Sequence, residues 1–132
     1  MIVVDTQMLV YLTTRGPFAP VAKRVAAIDG DWYTTTLWRS EFRSVMAGEI
    51  RRGNLTYDRA LEAFLEAEVF LFGERAPDVA EVLSLVELST CTAYDLEFVA
   101  VAIALRVPLV TSDKQVLAGF PALAISPEAF AA

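Results

Sequence analysis

Short apolar runs alternating with longer helical patterns constrain this chain more than any other feature. IVV at 2–4, WYTTT at 32–36, PLVT at 108–111 and ALAIS at 122–126 read as strands. Helical patterns lie between them: MLVYLTT after Asp5, VAKRVAAID ending at Asp29-Gly30, and a longer one from Trp38 to about Arg52. Interleaving of this kind predicts an α/β fold, a single α/β/α sandwich around a mostly parallel central sheet. With 132 residues the chain has the size of one domain, so residues 1–132 are expected to share one core without staples.

Local signals sharpen the helices. Gly53 is expected at the C′ position of the helix from Trp38, with Arg51 and Arg52 in its last turn, where cations suit the helix dipole. Thr56 is expected to cap the next helix, in which Leu61, Phe64, Leu65, Val69 and Phe72 recur at three-four spacing and form one apolar face. Phe72-Gly73 ends it, and Pro77 then opens another at its first helical position, running through VAEVLSLVEL. Thr92 precedes a nearly all-apolar helix through Leu105, which should pack centrally. SDKQVLAGF reads as a short helix and PEAF as a terminal turn.

Four acids fall where such a fold would gather them. Asp5 and Asp113 directly follow strands, and right-handed crossovers bring the carboxyl ends of those strands to one edge, the usual place for ligands. Glu41 and Asp95 lie in the opening turns of helices that can point there. Crowded carboxylates repel one another and lose hydration, so they persist together only where protons or cations compensate them. A hard, oxygen-seeking ion such as Mg2+ or Mn2+ suits that donor set. The layout predicts a divalent-metal site for phosphodiester chemistry.

Each acid also has a structural reading. Thr92 and Asp95 have capping-box spacing, Asp5 can cap the helix that follows it, and Asp113 sits where negative charge suits a helix N-terminus. Glu41, beside Phe42 and Val45, has the weakest such reason to be there. Thr6, Thr111 and Ser112 are hydroxyls next to these acids, able either to orient carboxylates and waters or simply to cap helices. Arg39, Arg43 and Lys114 either hold a substrate backbone or pair with nearby acids. Glu97 lies two positions after Asp95, about 200° around a helix, and is expected to be satisfied or to face solvent.

Composition excludes several classes. There is no histidine, which removes histidine catalysis and histidine metal ligation, and the lone Cys91 is expected to be a small core or helix-flank residue. A net charge of -6 argues against a nucleic-acid coat but not against a nuclease, because a metal-loaded acidic pocket reverses the local field. FVAVAIALRVPLV is interrupted by Arg106 and Pro108 and falls short of the roughly 20 apolar residues of a membrane span, so no membrane association is expected. The N-terminus shows no secretory pattern, and a cytoplasmic setting is expected. A mean hydropathy of +0.45 suggests that some apolar surface is covered by a partner or a second copy.

VVDTQMLVYL, SEFRSVM and TAYDLEFVAVAIALRVPLVTSDKQVL, in this order and spacing, resemble the PIN domains, and among them the VapC-type toxin ribonucleases of toxin-antitoxin pairs. The resemblance spans essentially the whole chain. It implies metal-binding and catalytic acids at Asp5, Glu41, Asp95 and Asp113, metal-dependent cleavage of RNA, homodimer formation and silencing by a VapB-type antitoxin. The stretches Phe42 to Met46 and Phe64 to Phe72 are candidate docking surfaces, although packing within the chain's own core accounts for most of their residues. Gln7 stands where Asn or Ser is frequent in the family, and Ser44 near where Asn is often found. The competing reading is a non-catalytic PIN-like module that binds RNA or serves as a scaffold. A receiver domain wants adjacent acids after the first strand, and a haloacid-dehalogenase-type phosphatase wants a second Asp where Gln7 stands, so both are disfavoured.

Overall fold

All three residues of the first strand, β1 (Ile2–Val4), are fully buried, which is what a central strand covered on both faces requires. The computed structural model describes residues 1–132. β1 is flanked by β2 (Trp32–Thr35) on one side and β4 (Leu109–Val110) on the other, with β3 (Gly73–Arg75) and β5 (Ala124–Ile125) at the edges. Every pairing is parallel, in the order β3-β2-β1-β4-β5. The α/β/α sandwich is therefore realised, and the order reverses direction at β1.

Alternation along β1 divides the core in two. Ile2 and Val4 point to a layer built from α1 (Thr6–Thr13), α2 (Ala19–Ile28), α3 (Trp38–Arg51) and α4 (Tyr57–Phe70). Val3 points to the other layer, formed by α5 (Val79–Ser84), α6 (Ala93–Leu105) and α7 (Lys114–Gly119). A single-turn helix, α8 (Pro127–Phe130), closes the chain behind a Ser126 cap. Trp32, Trp38 and Phe42 are the largest fully buried side chains, and the Trp38 and Phe64 rings stack at 5.0 Å. α6 is the central helix expected from its composition: Leu96 and Phe98 to Ala102 are all buried. No single helix is long and apolar enough to cross a membrane. Cys91 is buried beside Gly119, as expected of a small core residue.

Caps set most boundaries. Thr56 accepts from the Arg59 amide, Thr92 and Asp95 close a reciprocal capping box, and Gly53 takes φ +76° just beyond α3. Three expectations are corrected. α1 begins at Thr6, not Met8, because Asp5 caps it. Pro77 stands outside α5, whose cap is Asp78 with its carboxylate accepting from Ala80 and Glu81. This helix stops at Ser84 and gives way to a 3-10 turn over Val86–Leu88.

The third correction concerns α4, which ends at Phe70. Its fully buried face is Ala60, Ala63 and Ala67, where α4 packs closely on α1 and α3, and partly buried Phe64 packs beside them against Trp38 and Phe42. Leu61, Leu65 and Val69 face outward instead, and Phe72 is exposed beyond the helix. The strand β3 has no sequence signal of its own. Gly73 is required there, since a Cβ would lie 2.3 Å from the ring of Tyr33, its partner in the ladder.

Candidate metal centre

Where β1 and β4 end side by side, the chain turns directly into two helices, and the turning residues are Asp5 and Asp113. Each carboxylate caps its own helix: Asp5 Oδ1 accepts from the Met8 amide at 3.1 Å and Asp113 Oδ1 from the Val116 amide at 3.0 Å. Buried Thr111 joins them. Its hydroxyl donates to Asp5 Oδ2 and accepts from the Asp113 amide at 3.0 Å, so one side chain orients the Asp5 carboxylate and holds the backbone that carries Asp113.

Glu41 approaches from the first turn of α3, where the Thr6 hydroxyl donates to its Oε1 at 2.7 Å. Asp95 arrives at the third position of α6, its Oδ2 accepting from the Thr92 amide at 3.2 Å. All four acids line one pocket of about 180 Å³, together with Thr6, Gln7 and Thr111 and a partly apolar wall. Val45 and Phe98 belong to that wall because they lie four and three residues after Glu41 and Asp95, on the same helix faces.

The pocket contains no lysine or arginine to balance its charge. Burial pushes the Asp5 carboxyl up to about 6 from 3.8. The bonds from Thr111 and Met8 pull against that rise, and repulsion from Asp113 and Glu41 adds to it. Glu41 is raised as well, chiefly by burial, against the Thr6 bond and with repulsion from Asp95. What positive potential there is comes from backbone: the N-terminal ends of α1, α3, α6 and α7 all carry one of these acids.

An all-oxygen, all-anionic donor set around a small cavity fits a hard divalent cation and no soft one. No three of the acids, however, are gathered close enough to ring an ion as they stand. The expected convergence is thus met at the level of a shared pocket, not of a closed cage. Capping and pocket-lining are also not alternatives here, since Asp5, Asp95 and Asp113 do both.

Other expected residues divide. Thr6 and Thr111 orient acids, whereas Ser112 lies off the pocket, its hydroxyl 3.4 Å from that of Tyr11. Arg39 pairs with Glu74 and Glu68 and lies over the Trp38 ring. Arg43 sits 5.3 Å over Phe64, facing the α3–α4 groove instead of the acids. Lys114 is exposed beside Ser89 and Thr90. Ser44 is exposed and does not line the pocket, whereas Gln7 does. Glu97 is only partly exposed, accepts no hydrogen bond, and its carboxyl is raised by burial and by Glu41. The expectation that it would be satisfied or face solvent is corrected to that extent.

A model of the PIN domain matches residues 2–122. No curated protein matches the sequence. Among solved structures, the crystal structure of PAE2754 from Pyrobaculum aerophilum is similar, with a TM-score of 0.78 and 21% identity over 98% of this chain and 85% of that one. At that identity the likeness speaks for the fold.

Proposed function

The chain belongs to the PIN domain family, whose members are generally nucleases, and from that premise we propose that it is a metal-dependent endoribonuclease acting as the toxin of a type II toxin-antitoxin pair. The observation that carries the reading is the pocket itself: four carboxylates face one cavity with no cation among the residues lining it. Asp5, Glu41, Asp95 and Asp113 would hold Mg2+ or Mn2+ there. Such an ion would supply positive charge against the phosphodiester and lower the pKa of water toward neutrality, making hydroxide available as the nucleophile.

The protein's own part is positional. Thr111 and Thr6 aim Asp5 and Glu41 into the cavity, and the helix caps stop Asp113 and Asp95 from turning away. Val45, Phe98, Leu109 and Val116 make one side of the pocket apolar, a less polar surrounding in which charge interactions are stronger than in water. Hydrolysis then adds the elements of water across one P–O bond, leaving a phosphate monoester and a hydroxyl.

Two exposed apolar surfaces support partners. Leu61, Leu65 and Tyr57 border the groove between α3 and α4 and Met46 lies largely buried in its lining, which suits an antitoxin segment, whereas Phe42 is spent in the core. Val79, Leu83, Val86 and Leu88 form a second patch, which suits a homodimer. A cytoplasmic setting goes with an RNA substrate and a lone buried thiol.

The spacing of the acids favours a second reading, a PIN-like module that binds RNA without cutting it. Cleavage of RNA with Mg2+ or Mn2+ that Asp5→Asn abolishes separates the two. Equal cleavage by wild type and Asp5→Asn would mark a contaminant and sink the assignment.

A further inference from the structure

A second hollow, of about 540 Å³, lies where the loop between α1 and α2 faces the end of α3 and the start of α4. Its floor is aromatic: the Tyr11 and Phe18 rings are 4.8 Å apart and tilted by 31°, and Phe18 is 48% exposed. Its charge is cationic on balance. Glu49 is already engaged by Arg52 and Asn54, and Arg59 is fastened to the Thr13 carbonyl and to Glu66. Arg15 is exposed and belongs to none of the ion pairs.

The hollow touches the segment that carries part of the acidic pocket. Tyr11 lines the hollow, and its hydroxyl lies 3.4 Å from that of Ser112, whose neighbours Thr111 and Asp113 line the pocket. We propose that this hollow is a base-binding subsite for single-stranded RNA, in which a nucleobase near the cleaved bond packs on Phe18 and Tyr11 while Arg15 takes an adjoining phosphate. The proposal rests on the ribonuclease reading above and deepens it. An acidic pocket in a chain of net charge -6 repels a polyanion, so affinity has to come from outside it. An open aromatic face beside an uncommitted guanidinium provides both contacts that a single strand uses, and any base can stack there. A duplex keeps its bases stacked inside and cannot enter.

The test uses the full chain with metal withheld by chelator, so that RNA stays intact, and a single-stranded RNA carrying one 2-aminopurine. Stacking reads as fluorescence quenching and binding as anisotropy. Phe18→Ala is expected to weaken binding about 5- to 150-fold and abolish the quench, with Phe18→Trp restoring both. Arg15→Ala is expected to lower the salt slope of binding by about one. Unchanged binding and quenching in Phe18→Ala would overturn the subsite. So would intact RNA binding with lost affinity for the cognate antitoxin, which would make the hollow a protein-docking site. Cleavage in Mn2+ by wild type and Asp5→Asn is measured alongside: cleavage confined to wild type leaves the ribonuclease reading standing when the subsite fails, and its absence overturns the ribonuclease reading while binding and quenching in chelator decide the subsite.

Discussion

Asp5→Asn should make the metal-free protein more stable, not less. The folded protein holds the Asp5 carboxyl near 6, whereas the unfolded chain ionises it at 3.8. Between those values the native state binds a proton that the unfolded state has lost, so stability falls as pH rises. Above the window the whole cost is present, roughly 3 kcal/mol at about 1.4 kcal/mol for each pH unit between the two values. Asparagine removes that charge and is as good a helix cap, so the Met8 bond survives. It accepts less well from Thr111, which returns about 1 kcal/mol. The net gain is about 2 kcal/mol at pH 7.5, or roughly 7 °C in melting temperature for a domain of this size. Below pH 3.8 both states of the wild type are protonated and the advantage should vanish. Thermal melts in chelator at pH 7.5, 5.5 and 3.5 measure it directly. A variant less stable than wild type at pH 7.5, or an advantage that does not shrink on acidification, would refute the claim that Asp5 is a strained anion awaiting a cation.

Further outcomes are expected elsewhere. Thr111→Val removes the donor to Asp5 and the acceptor of the Asp113 amide, and should cost about 1–3 kcal/mol in urea denaturation. Gly73→Ala drives a methyl into the Tyr33 ring and should cost about 1–3 kcal/mol, with an unchanged denaturant slope if the edge strand survives. Leu65→Glu, at an exposed position on α4, should leave the melt within about 0.5 kcal/mol while weakening antitoxin capture in a pull-down.

Four of the five strands were legible because apolar, β-branched or aromatic residues mark them, and β1 with its acid was legible for the same reason. β3 was not, because Gly-Glu-Arg carries no such pattern and becomes a strand only by pairing with β2. That one omission hid the fate of Arg39, since its principal partner, Glu74, lies on the unseen strand. α4 misled for a related reason: three-four spacing of Leu61, Leu65 and Val69 marks an apolar stripe, but tight packing selected the alanine face for the core. The acids could be placed because each either ends a strand or opens a helix, and parallel topology sends all such points to one edge. The walls of the pocket, Val45 and Phe98, were implicit in helical spacing but looked like ordinary core. The hollow around Phe18 depends on a loop meeting two distant helices, which no local pattern encodes.

The most direct measurement is calorimetric titration of Mn2+ into the chain at pH 7.5 and pH 5.5, for wild type and for Asp5→Asn, Glu41→Gln, Asp95→Asn and Asp113→Asn. Shared ligation predicts saturable binding by wild type that weakens at the lower pH as protons compete, and that every one of the four substitutions weakens. Absence of binding, or a wild-type affinity that the four substitutions leave untouched, would contradict it.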